Sequence, residues 1–158
     1  MRICTPIPDH ALPDAARLWC KTFSGGFGAR RAQASHGIVA LDEGAHVIGV
    51  RGLRDETGGF LAGGMGVAGL LYRAAPATSD LVIDGIVAHQ RRQGIGRALI
   101  LAAQSAALTR GRKGLRAEVQ CSNRAALTFY QRLGFTEETT GRFGWPWSGR
   151  VAILRKPV

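Results

Sequence analysis

Apolar residues recur at helical spacing through residues 8–23, where Leu12, Ala15, Ala16, Trp19 and Phe23 form one stripe. This predicts an amphipathic helix following a short strand at 1–7, ended by the break at Ser24–Gly28. Two β-rich runs, His36–Leu41 and His46–Leu53, flank Asp42-Glu43-Gly44-Ala45 and read as a hairpin. Residues 55–66 hold glycines 58, 59, 63, 64 and 66 and predict a mobile loop or short irregular insertion. Leu81–Val87 is an apolar strand interrupted by Asp84 and Gly85. A helix over Gly94–Arg110, a strand over Leu115–Cys121 and a helix over Asn123–Leu133 follow, with Gly134 where a left-handed helix end belongs. Strands at Phe135–Thr140 and Val151–Arg155 flank a loop carrying Trp145-Pro146-Trp147. Strands alternating with helices in the second half predict an α/β fold with parallel pairing in a mixed sheet.

A chain of 158 residues, 46% hydrophobic and 20% charged, suits one domain over residues 1–158 with a core that needs neither disulfide nor metal. The first twenty residues place Pro and Asp where a secretion signal needs an unbroken apolar run, so the expected location is cytoplasmic. The most apolar window, residues 58–72, is too short and too rich in glycine to span a membrane. Cys4, Cys20 and Cys121, and His10, His36, His46 and His89, are scattered without metal-ligand spacing, so no metal is expected.

Charge sharpens the picture. Lys and Arg number 21 against 11 Asp and Glu, for a net charge of +10. From Gly85 to Leu115 there is no acid, while Arg91, Arg92, Arg97, Arg110, Arg112 and Lys113 fall inside, which points to an anionic ligand. The run Arg91-Arg92-Gln93-Gly94-Ile95-Gly96-Arg97 follows a strand and opens a helix. A helix start directs unpaired N–H groups and the positive end of its dipole outward. Glycines let a phosphate approach the backbone, and guanidinium forks suit its oxygens, so the run reads as a pyrophosphate cradle. It is neither a P-loop nor a dinucleotide fingerprint, whose glycine and lysine spacings differ. Downstream, Ser122 or Asn123 can cap the next helix, and Tyr130 lies on its buried stripe, where its hydroxyl requires a partner.

These residues resemble the GNAT superfamily of acyl-CoA-dependent N-acetyltransferases. Arg91-x-x-Gly94-x-Gly96 is similar to the family's acetyl-CoA motif, and Asn123, Ala126, Tyr130, Gly134 and Phe135 match its downstream helix pattern. The close match covers residues 80–136; the hairpin 36–53 fits more loosely, and 1–35 and 137–158 only in general layout. The resemblance implies a single-domain GNAT fold, with a mixed sheet of about six to seven strands flanked by helices. It implies acetyl-CoA as co-substrate, Ile86 and Val87 hydrogen-bonding its pantetheine arm, Arg92–Arg97 holding its pyrophosphate, and Asn123 touching it near splayed strands. Tyr130 would protonate the departing CoA thiolate, and a strand N–H near Ile86 would stabilise the oxyanion. A phenol with a usual pKa of ~10 stays protonated at neutral pH and can supply a thiolate whose thiol titrates near ~8.5.

The general base is open among Asp80, Asp84 and Glu118. Asp84 ranks first, because it interrupts an apolar strand and by period two shares the face of Ile86. Glu118 ranks second; acetyltransferases of ribosomal-protein N-terminal alanines, which the stretch 115–135 resembles, also carry a glutamate there. The acceptor implied is an amine of a small molecule or of a protein N-terminus or lysine, with no membrane partner, and a homodimer is a common family state. The Gly-rich loop and Trp145-Pro146-Trp147 are candidates to line the acceptor pocket. Two other readings compete. A nucleic-acid-binding module would suit the pI near 11.0, but aromatics are 7% and no recognised reading motif is present. A GNAT fold that binds acyl-CoA without turnover is the other.

Overall fold

In the computed structural model the described residues are 1–23, 32–63, 70–89 and 93–158. They form one mixed sheet in the order β1 (Arg2–Cys4), β2 (Gly37–Leu41), β3 (Val47–Asp55), β5 (Leu81–Ala88), β6 (Gly114–Gln120), β8 (Val151–Pro157), β7 (Thr136–Gly141), with β4 (Gly58–Gly59) folded back on β3. Helix α1 (Leu12–Phe23) covers one face. Helices α2 (Ile95–Thr109) and α3 (Arg124–Arg132) cover the other. No described helix is long and apolar enough to cross a membrane.

Because the sheet is covered on both sides, its central strands are apolar at successive positions. Val39, Leu41 and Val50 pack with Ile7, Ala11, Ala15 and Phe60 beneath α1. Ile38, Ala40, Leu53, Ile83, Leu115, Ala117 and Val119 pack with Leu99, Ala103, Leu127 and Tyr130 beneath α2 and α3. The β2–β3 hairpin forms as the alternation predicts, and Asp42 closes its turn: the Asp42 N–H donates to His46 O at 3.0 Å, and the His46 N–H donates to Asp42 Oδ1 at 2.8 Å.

The stretch 55–66 departs from the sequence reading where it is described. Gly58 and Gly59 pair with Asp55 and Arg54 in a tight hairpin, and Phe60 is fully buried against Trp19, ring centroids 5.8 Å apart. A single aromatic anchor outweighs the glycines around it. Residues 64–66 and the break at Ser24–Gly28 lie outside the described residues.

The base of that hairpin carries an ionic cluster around the buried side chains of Asp55 and His36. Asp55 accepts from the Thr57 amide at 2.9 Å, the Thr57 hydroxyl at 2.6 Å and Arg110 Nη1 at 2.9 Å, and His36 Nε2 lies 3.2 Å away. Arg112 pairs with Glu56 at 2.5 Å. Arg110 and Arg112 therefore serve acids on the β3–β4 hairpin at the far end of α2, and the basic run from 85 to 115 is not a single anion site.

The sheet has one parallel pair among its described strands, β5 with β6, and it is short: Leu81–Leu115, Val82–Arg116 and Ile83–Ala117. Beyond Ile83 the register of β5 on β3 shifts, so that Gly52 faces Gly85 while Leu53 faces Ile83, leaving Asp84 as the extra residue of a bulge. A bulge bends the strand that carries it. β5 continues along β3 to Ala88 while β6 continues along β8 to Gln120, and the two part.

Candidate active site

The gap between the diverging strands is a cavity of about 390 Å³. It brings together Asp84 and Ile86 from β5, Glu118 from β6, Asn123 and Tyr130 from α3, and Phe23 from α1. From Asp84 onward β5 has no ladder partner on the side facing β6, so backbone donors and acceptors border an open space. Such an edge suits an extended amide-bearing chain, as the sequence reading expects at Ile86 and Val87. Gly85 makes room for the half-exposed Phe23 ring, which a Cβ would meet at 2.7 Å and displace.

Tyr130 is 4% exposed and held between Phe129 and Phe135, with ring centroids 5.3 and 5.1 Å away. Gly134, at φ 85°, ends α3 and returns the chain so that the Phe135 N–H donates to Tyr130 O at 3.1 Å. Burial raises the phenol's pKa, opposed by the nearby Arg51 guanidinium. Asn123, rather than Ser122, caps α3, its Oδ1 accepting from the Ala126 N–H at 3.1 Å.

At the start of α2, Gly94 takes the left-handed conformation at φ 75° with open space where a Cβ would be. The Ala98 N–H donates to Gly94 O at 3.0 Å, so the N–H groups of Ile95, Gly96 and Arg97 precede the first helical bond. Gln93 and Arg97 are exposed beside them. Arg91 and Arg92, also expected in this cradle, lie outside the described residues. Gly96 differs from the expected role in one respect: the space of its missing side chain is taken by Phe129, whose Cζ would lie 3.2 Å from a Cβ. The glycine lets α2 and α3 approach. A Gly96→Val variant is expected to lose about 1–3 kcal/mol by overpacking, read as a lower urea midpoint, with partial recovery when Phe129 is shortened to leucine.

The acids are placed differently from the period-two reading. Because the bulge lies at Asp84 and Gly85, Asp84 shares the α1 side of the sheet with Gly52, whose added Cβ would lie 3.3 Å from Asp84 Cβ. Ile86 packs on the opposite face. Arg54 joins both candidate bases: its Nε donates to Asp84 Oδ1 at 2.7 Å, and its Nη2 lies 3.4 Å from Glu118 Oε1. Arg116 Nη2 is 3.1 Å from the same Glu118 oxygen. Burial alone would lower the Arg54 pKa, but Asp84 and then Glu118 outweigh it and raise it. Asp80, the third candidate, is buried in a two-pronged pair with Arg155 at 2.5 and 3.1 Å, away from the wedge.

Three residues of this region are absent from the sequence reading: Arg51, Arg54 and Tyr72. Tyr72 sits in the field of Glu118, Arg54 and Asp84, its pKa raised by burial and then by Glu118. It meets Trp145 edge-on at 5.5 Å, and Trp145 stacks on Trp147 at 5.3 Å, so the tryptophan loop continues an aromatic wall from the acids outward. The backbone bonds Arg73 N–H to Gly144 O at 2.9 Å and Gly144 N–H to Arg73 O at 2.7 Å tie the two segments. A cation at the end of an apolar strand was the available signal for Arg54.

The site is thus a mixed α/β sheet parted at its parallel pair, with a helix start near the gap and a buried tyrosine lining it. The chain belongs to the acetyltransferase (GNAT) family, whose sequence profile matches residues 4–135. The members of this family are acetyl-CoA-dependent N-acetyltransferases. The fold is similar to that of the ribosomal-protein-S18-alanine N-acetyltransferase of Escherichia coli, at TM-score 0.60 and 20% identity, covering 99% of this chain and 93% of that one. Ard1 from Thermoplasma volcanium superposes at TM-score 0.68 and 17% identity, covering 99% and 97%. A GCN5-related N-acetyltransferase from Kribbella flavida gives TM-score 0.69 and 19% identity over the same shares. No curated protein sequence matches significantly.

Proposed function

We propose that the protein, as one cytoplasmic domain over residues 1–158, transfers the acetyl group of acetyl-CoA to a primary amine by direct attack inside the wedge. The observation that carries this reading is the convergence of Tyr130, Glu118, Asp84 and the free edge of β5 on one cavity. Gln93–Arg97, with Arg91 and Arg92, hold the pyrophosphate at the start of α2, and Ile86 and Val87 hold the pantetheine arm along the unpaired edge. Asn123 borders that arm. The co-substrate supplies an activated thioester, and an N–H near Ile86 faces the oxygen that gains charge. Glu118, with Asp84 second, takes a proton from the entering ammonium. That order reverses the sequence ranking, because the bulge turns Asp84 toward Arg54 and β4. The C–N bond forms, the nitrogen of the tetrahedral adduct gives its second proton to solvent, and the C–S bond breaks with its electron pair on sulfur, which takes the proton of Tyr130 Oη; the phenolate is then reprotonated from solvent, to which Glu118 also returns its proton.

A protein α-amine is the acceptor we favour. Its usual pKa of ~8 makes it easier to deprotonate than a lysine at ~10.4, and the Escherichia coli neighbour is named for a ribosomal-protein alanine. The test is calorimetric titration with acetyl-CoA at moderate salt, beside a Gly94→Glu variant that imposes a strained φ and an anion on the cradle. Micromolar binding by wild type, weakened about tenfold or more in the variant, is expected. Release of thiol that requires a peptide amine then separates an enzyme from a sensor. Absence of binding at millimolar acetyl-CoA, with salt-sensitive binding to nucleic acid, would replace this reading.

A further inference from the structure

One position in the core beneath α2 and α3 is not apolar. Arg51 has no exposed surface, and on the sheet it lies between Ile38 of β2 and Ile86 of β5, the wedge strand. Its Nη1 donates to Leu99 O of α2 at 3.1 Å. Its Nε and Nη2 are equally buried, and among the described residues neither has a hydrogen-bond partner and no carboxylate forms an ion pair with it. A guanidinium taken out of water without an anion is strongly unfavourable. Packing does not explain it, since its neighbours on this face of the sheet are Ile38, Leu53 and Ile86.

Among the described residues, the buried group in this core with an ionisable oxygen is Tyr130, 4% exposed, while the free thiol of Cys121 packs at the core's edge. Burial lowers the Arg51 pKa to about 10, with Tyr130 opposing the drop, so the side chain is still a cation at neutral pH. Burial raises the phenol, with Arg51 opposing the rise. Other charges face Tyr130 less directly. Asp84 and Glu118 border the same cavity but are tied to Arg54 and Arg116, while Arg97 of α2 and Arg124 and Arg132 of α3 are exposed.

We propose that Arg51 is a positioning residue whose buried guanidinium is the counter-charge for the Tyr130 phenolate formed during turnover. The proposal rests on Tyr130 being the proton donor. When the C–S bond breaks, its electron pair takes the phenolic proton to become S–H, and the oxygen left behind is negative on a side chain that is 4% exposed. A fixed cation there lowers the energy of that state and does nothing for the bound ground state, which is the condition for raising kcat. The phenolate recovers its proton from solvent once the thiol has left.

The chain has two tyrosines, so a Tyr72→Phe background leaves Tyr130 as the sole phenol titrating in the tyrosinate absorbance band. Arg51→Met and Arg51→Gln are introduced there; the amide of the second retains a donor for Leu99 O. In each the Tyr130 midpoint is expected to rise by roughly one pH unit or more. In the otherwise native chain the same changes should lower kcat about tenfold or more, with acetyl-CoA affinity retained. A midpoint unmoved in both folded variants, with Tyr130→Phe still slow, overturns the proposal and leaves Tyr130 as the acid. A midpoint that rises while Tyr130→Phe turns over normally overturns it through the underlying reading, because the pair then has no part in turnover.

Discussion

Replacing Tyr130 by phenylalanine is expected to lower kcat by about 10²–10⁴-fold, the usual contribution of a positioned general acid, with acetyl-CoA affinity unchanged. The ring contacts with Phe129 and Phe135 survive the substitution, so the change removes one hydroxyl and little packing. Burial raises the phenol's pKa, and Arg51 opposes but does not cancel that rise. The protonated form therefore persists through neutral pH, and the phenol sets an alkaline limb of the activity profile, while the acceptor amine and its base set the acid limb. In the phenylalanine variant that alkaline limb should disappear and the residual rate should depend on buffer or water as donor. Thiol release followed from pH 6 into the range above 10 where the raised phenol ionises, with calorimetry of acetyl-CoA binding alongside, reads both quantities. An unchanged kcat in a folded variant would remove Tyr130 from the chemistry.

The residues with the clearest periodicity were the most legible. The hairpin at 36–53, the helix opening near Gly94 and the capped helix from Asn123 to Gly134 each follow from local pattern, because caps, turns and apolar stripes are properties of consecutive residues. The wedge is different. It depends on Gly52 meeting Gly85 while Leu53 meets Ile83, a pairing between strands some thirty positions apart. Period-two reasoning therefore assigned Asp84 to the face of Ile86, and the bulge moved it. Arg51 illustrates the same limit in energetic terms. An arginine within Val50-Arg51-Gly52 reads as a solvent-facing position until helices are known to cover both faces. Arg110 and Arg112 share the acid-free basic run that contains the cradle, yet their acids lie on the β3–β4 hairpin. Phe60, hidden among glycines, shows that one buried ring can order a segment whose composition suggests a loop.

Asp55 provides the largest expected effect on stability. Its side chain is 5% exposed and takes hydrogen bonds from Thr57 and Arg110 with His36 alongside, so Asp55→Ala removes the acceptor of several donors at a half-buried site. Breaking a buried pair from one side costs about 3–5 kcal/mol; the lower figure suits this cluster, because Arg110 keeps 26% of its side chain in water. For a chain of this size about 3 kcal/mol corresponds to a fall in Tm of roughly 6–12 °C. Burial alone would raise the Asp55 carboxyl, but the Thr57 bonds and then His36 reverse it and hold the pKa well below the carboxylate range. A carboxyl depressed in the folded state stabilises fully above its unfolded value of ~3.9, and that contribution disappears as pH falls toward the folded value. The stability gap between wild type and Asp55→Asn should therefore be constant above about pH 5 and narrow below about pH 4. Urea unfolding across that series measures it, and a gap that stays constant into strong acid would show that the carboxylate charge is not what holds the cluster. Because Asp55 borders the hairpin rather than the wedge, the folded variant should keep its kcat at a temperature well below its own midpoint. A large loss of kcat there would instead mean that the hairpin sets the position of Arg54, the next residue on β3, and through it of Asp84 and Glu118.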